Sequence, residues 1–262
     1  MSVSTSLAPV LFLSHGAPTL VIDPVPAQRF LKTLAQQVPR PRAIVVVSAH
    51  WQEDQPAVGI QAVNDTIHDF GGFPDALYRI TWPAPGDAEV SELVLARLAA
   101  AGFEPTPADR GLDHGAWVPL SLAWPAADVP VVPVSLVRGG FDEHLRLGAA
   151  LSGLREQGVL ICCTGSATHP LAAAVPGIDQ PTPWVAAFDR WLADAVMAND
   201  LRALRAWLQV SDAHRVHPSD DHLLPLFVAL GAAGAQSGTP RVHLMHHSWT
   251  WRVLSMACWR WD

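Results

Sequence analysis

Four histidines of this 262-residue chain recur in one setting: an apolar run, a turn, then an imidazole. His15 follows residues 9–14 (PVLFLS). His50 ends the stretch that begins with the β-branched run at 44–47 (AIVVVSAHW over 43–51). His169 follows 159–163 (VLICC) by way of Thr164 and Gly165, and His222 opens an apolar helical run over 222–230. Neutral imidazoles from separate strand ends can meet on one transition-metal ion. Their wide spacing excludes a compact zinc finger and calls for a site assembled by the fold. Each histidine alone is as readily a hydrogen-bonded loop residue, and the repetition gives the set its weight. His144, His214, His243, His246 and His247 are expected to be such loop or surface residues. A fifth candidate, His114, stands between Asp and Gly in 111–117 (GLDHGAW). Asp69, Asp113 and the Asp220-Asp221 pair are alternative ligands, although Asp69 and Asp113 fit better as carboxylates that orient histidines or loop backbone.

The elements that must position these residues alternate along the chain. Strands are expected at 9–14, 43–49, 58–63, 103–109, 129–136 and 159–163, with one or two closing strands over 241–259. Helices are expected at 28–37, 88–101 (capped by Asp87 and stopped by Gly102), 142–157, 183–198, 200–210 and from His222 to Leu230, with a short one starting at Val118. Residues 66–74 (TIHDFGGFP) and 111–117 read as shaped loops, and 215–221 as a polar loop. No linker or repeat interrupts the pattern. The expectation is an α/β fold in a single domain spanning 1–262, its central sheet mostly parallel or mixed, with helices on both faces. In such sheets ligands gather beyond the carboxyl ends of the strands, where His15, His50 and His169 fall.

Composition narrows the partners. Half of the residues are apolar, 16% are charged and the formal net charge is −7. No basic cluster offers itself to nucleic acid, and no apolar run is long enough to span a bilayer. The N-terminus lacks a basic, cleavable leader, so a cytoplasmic protein is expected. Its three cysteines make no disulfide framework. Self-association is left open.

Several longer motifs together carry a resemblance: LSHGAP at 13–18, VSAHW at 47–51, HDFGGFP at 68–74, Leu77-Tyr78, WPAPG at 82–86, DHGAW at 113–117, Thr164-Gly165 with His169, His217-Pro218, and HLLPL at 222–226. In this order they cover nearly the whole chain, which resembles the class III (LigB-like) extradiol ring-opening dioxygenases, most closely their 4,5-DOPA dioxygenase branch. The resemblance implies a single α/β catalytic domain that opens a catechol-type, DOPA-like ring with O2 at a non-haem metal. Fe(II) is implied for activity, with Zn as an alternative bound metal. It further implies His15, His50 and His222 as metal ligands, and His169 as the acid/base residue that can also enter the metal sphere. His114 is implied as a catalytic residue facing the substrate. Around the substrate are expected His68, Asp69, Phe70 and Trp51, with Phe73 at the mouth or anchoring its loop and Trp117 a further stacking candidate. Arg79, Arg110 and Arg138 are candidates to meet a substrate carboxylate. Departures from the family pattern are Ala17 for a usual Ser, Thr164 for Ser and Trp82 for Tyr; the last bears on the pocket wall. Two other readings remain: a zinc-dependent hydrolase using three histidines and an open position, and a non-catalytic metal-binding relative.

Overall fold

The strand residues divide by parity between two apolar layers, and this division builds the molecule. In the computed structural model, which describes residues 7–234 and 240–262, strands β1 (Val10–Ser14), β2 (Ala43–Glu53), β5 (Val131–Val137) and β6 (Val159–Gly165) lie side by side and parallel in the order β5-β2-β6-β1. Phe12, Val45, Val47, Val134 and Ile161 enter one core, and Leu11, Leu13, Ile44, Val46 and Leu160 the other. Successive strand side chains point to opposite faces, so an uninterrupted apolar run satisfies both layers at once. Each such side chain, fully removed from water, contributes roughly 1.5–3 kcal/mol.

The edges make the sheet mixed. β3 (Ala57–Gly59) meets β5 antiparallel through Val58 and Val134 and pairs in parallel with β4 (Thr106–Ala108). On the other side β10 (Cys258–Trp261) pairs antiparallel with β1, and β7 (Val242–His246) with β10. Eight strands of the described residues thus run β4-β3-β5-β2-β6-β1-β10-β7. One face carries α1 (Pro26–Gln37) and α3 (His114–Ala123); the other carries α2 (Ala88–Ala100), α4 (Phe141–Leu151), α5 (Pro183–Met197) and α8 (Leu224–Gly234), with the short α6 (Leu201–Arg205) and α7 (Ala213–Val216) beside them. Every residue of α8 from Leu224 to Ala233 is buried, as befits a helix apolar all round. It presses on α4 at Gly148 and Gly231, where a Cβ would strike the other helix's backbone. No described helix is long and apolar enough to cross a membrane.

Four expectations need correction. The strand expected at 58–63 stops at Gly59, where Pro133 of β5 packs against the glycine and offers no N–H for further pairing. β2 does not end at Ala49 but runs to Glu53; its register on β5 jumps from Val47–Val134 to Gln52–Leu136, so the residues between bulge away from that neighbour. The loop expected over 111–117 is half helix: the Asp113 carboxylate accepts from the Ala116 N–H and starts α3 at His114. The closing segment forms β7, a hairpin of β8 (Trp249–Thr250) and β9 (Leu254–Ser255), and β10, rather than one or two strands. The N-terminal leader reading concerns residues 1–6, which lie outside the described residues.

Candidate metal centre and substrate pocket

Five histidines meet beyond the carboxyl ends of the parallel strands. His15 follows β1, where its backbone N–H donates to the Gly165 carbonyl at 3.0 Å. His50 sits in the β2 bulge, which turns its ring toward His15; their Nε2 atoms lie 3.0 Å apart. His114 is the first residue of α3, its ring centroid 3.9 Å from that of His50 and 5.5 Å from that of His15. His222, just ahead of α8, lies 5.4 Å from His15 and 4.9 Å from His50 between centroids, and His169 stacks on it at 3.4 Å. Among the described residues, His15, His50 and His114 form the trio whose ligand nitrogens all lie within 4.8 Å of one another.

Carboxylates orient two of these rings. Asp69 Oδ2 accepts from His114 Nδ1 at 2.9 Å, and Asp69 Oδ1 accepts from the His114 backbone N–H at 2.8 Å. Asp221 accepts from His222 Nδ1 at 2.6 Å. With Nδ1 carrying the proton in each, Nε2 is left with its lone pair. Burial alone would raise both carboxyls. The hydrogen bonds from the histidines outweigh it, holding Asp69 at about 2 and Asp221 well below the usual carboxylate range. Asp113, buried behind the site, accepts from Ser48 Oγ at 2.6 Å, yet burial keeps its carboxyl above the ordinary value. Burial and neighbouring histidines push His15 well below its ordinary value, His50 to about 2 and His169 to about 3. His15, His50 and His169 are therefore neutral nitrogen donors. That chemistry fits a borderline divalent metal such as iron or zinc and not an oxygen-seeking cation.

A cavity of about 180 Å³ opens on this cluster. His50, His114, His169 and His222 line it, and Gly16, Ala17, Pro18, Phe70, Phe73, Leu171, Trp251 and Leu254 complete it. A cavity of ~150 Å³ holds a benzene ring, so the space suits one aromatic ring.

The expected substrate neighbours are not all here. Phe70 and Phe73 line the pocket, and Asp69 reaches it through His114, with His50 Nδ1 3.7 Å from the same carboxylate. His68 does not line it: its Nε2 meets the Ile80 carbonyl and its ring packs on Trp117, so it shapes the loop. Trp51 is buried beneath Arg110 with its indole N–H on Glu53, and Trp117 donates to the Ile67 carbonyl; neither is a wall of the pocket. Arg110 faces the His50 carbonyl and Arg138 pairs with Asp54, while Arg79 is exposed; none of the three lines the cavity. His144, expected in a loop, is buried on α4 and bonds the Gly140 carbonyl. Trp251, Leu254 and Leu171 were not anticipated. The hairpin that supplies Trp251 turns through left-handed conformations at Trp251 and Arg252 (φ 52° and 69°), and no glycine marks such a turn in the sequence.

Thr168, beside His169, anchors that hairpin: its hydroxyl donates to the Val253 carbonyl at 2.6 Å and accepts from the Ser255 N–H at 2.8 Å. His217 Nε2 meets the Ala167 carbonyl at 3.0 Å and braces the same loop from behind.

Comparison with known proteins agrees with this architecture. The family model for the catalytic LigB subunit of aromatic ring-opening dioxygenase matches residues 9–257. A Beta vulgaris protein named 4,5-DOPA dioxygenase extradiol is 41% identical over 263 residues, covering 97% of both chains. An Escherichia coli protein of that name is 34% identical, covering 89% of this chain and 88% of its own. The crystal structure of an uncharacterized Escherichia coli K12 protein superposes with a TM-score of 0.81 at 27% identity, over 97% of this chain and 99% of its own. With the histidine cluster at the strand ends and the family match over nearly its whole length, the chain belongs to the LigB family of aromatic ring-opening dioxygenases.

Proposed function

We propose that the protein opens a catechol-type ring in the extradiol sense, using O2 at a non-haem Fe(II) held by His15, His50 and His222. The observation that carries this reading is the convergence of imidazoles from separate elements at a cavity sized for one aromatic ring. Relatives named 4,5-DOPA dioxygenase extradiol make a DOPA-like catechol the first substrate to try. When bound, Fe(II) supplies a charge that acidifies the catechol hydroxyls and a redox partner for O2.

The chain's own residues do the rest. His169 lines the cavity, so one of its ring nitrogens is placed to take a proton as the diol binds and return it later. His114 Nδ1 is committed to Asp69, which points Nε2 at the ring or at incoming oxygen. Phe70, Trp251 and Leu254 hold the ring and keep water from it.

The tight grouping of His15, His50 and His114 supports a second ligand set, with His114 in place of His222. Metal content of His114→Ala and His222→Ala, each loaded with Fe(II) anaerobically, decides between them: the true ligand loses metal as His15→Ala does. For the function itself, O2 uptake is followed over DOPA, protocatechuate, caffeate and catechol. Fe(II)-dependent uptake with a yellow ring-opened product is expected. Tight zinc and no uptake with any catechol would refute it and return the hydrolase to consideration.

A further inference from the structure

The pocket grades from a buried floor to an open rim. His114, His222, Leu254 and Pro18 are buried, Phe73 and Trp251 are half-buried, and Leu171 is 49% exposed. Among the described residues, no lysine or arginine lines it. Arg110 is turned to the His50 carbonyl and to Asp113, and Arg252, next to Trp251, is exposed and outside the lining. A carboxylate carried on the substrate ring itself would lie among Phe70, Trp251 and Leu254 with no partner, and an unpaired buried charge is strongly disfavoured. A carboxylate on a two-carbon side chain reaches roughly 2.5 Å further, toward the rim and water.

We infer that this pocket reads the diol ring alone: it rejects a charge borne directly on the ring and tolerates one on a side chain long enough to leave past Leu171 and Trp251. The inference rests on the dioxygenase reading and deepens it to a substrate class, catechols with an uncharged or chain-borne polar substituent. Phe70, Leu171 and Trp251 become the residues that set specificity.

The test is calorimetric binding to the full-length, Fe(II)-loaded protein without oxygen. Four ligands are compared: 4-methylcatechol, protocatechuate, the methyl ester of protocatechuate, and 3,4-dihydroxyphenylpropionate. Protocatechuate is expected to bind at least about tenfold more weakly than 4-methylcatechol, with the ester and the propionate within about threefold of it. Protocatechuate binding as well as 4-methylcatechol overturns the inference alone. An ester as weak as the acid overturns it too, because size and not charge would then discriminate. Failure of all four to bind overturns the inference together with the functional reading. Leu171→Arg, at the exposed rim, is a second arm. It should narrow the gap between protocatechuate and 4-methylcatechol, and an unchanged gap in a variant of unaltered thermal stability counts against the inference.

Discussion

Gly115 is the second residue of α3, where helix propensity favours alanine over glycine by about 1 kcal/mol. The site reverses that preference. A Cβ there would strike Ser48 Oγ and come within 2.8 Å of His50 Cδ2 and 3.2 Å of His15 Cε1. Ordinary contact begins at 3.4 Å, so the His50 ring must retreat by about 0.6 Å (3.4 − 2.8). Ser48 cannot yield freely, since its hydroxyl donates to the Asp113 carboxylate that starts the helix. Overpacking of this kind costs ~1–3 kcal/mol against the ~1 kcal/mol propensity gain, so Gly115→Ala should change stability by less than about 2 kcal/mol. The effect on chemistry should be larger. Sites tolerate displacements of only ~0.5 Å, and disturbed ligand shells lose about 10–100-fold in metal affinity. Chelator competition for Fe(II), a thermal scan and O2 uptake would measure the three quantities. Metal affinity and turnover within about twofold of the parent protein would refute the argument that α3 carries glycine to admit two ligand rings.

Four other outcomes are expected. Asp69→Asn can still accept one of the two bonds from His114 but not both; turnover should fall about 10–100-fold, checked by steady-state O2 uptake against metal content. Gly165→Ala would drive a methyl into the His222 carbonyl and toward Pro225 Cγ at 3.2 Å, displacing His222, so metal affinity should drop while Gly71→Ala, with open space around it, changes nothing. His169→Ala should keep metal and lose turnover, and full activity would remove it from proton transfer. His217 is buried and held at about 4 by that burial, against 6.5 when unfolded. The unfolded chain therefore takes up a proton that the fold refuses. Its contribution is full above pH 6.5 and is lost toward pH 4, by up to about 3 kcal/mol. Urea midpoints of the metal-free protein should fall over that window, and fall less steeply for His217→Gln; parallel curves would show that His217 does not carry the effect.

The parallel strands were readable because burial on both faces demands unbroken apolar runs, as at 44–47 and 159–163. Helix α2 was readable because Asp87 and Gly102 mark its ends with cap chemistry. The start of α3 was not: Gly115 looks like a helix breaker in sequence, and its reason for being there is a contact with His15 and His50 across the fold.

By itself the sequence determined the donor types, the strand ends that carry His15 and His169, and the family to which their motifs belong, since these depend on residue identity and local periodicity. Only the tertiary structure decided that His68 and Trp51 serve the loop and the core, that Asp69 reaches across from its own loop to orient His114, and that the 249–255 hairpin closes the pocket with Trp251. Those outcomes depend on long-range packing, on the β2 bulge, and on left-handed turn residues of ordinary type, none of which leaves a periodic trace in the chain.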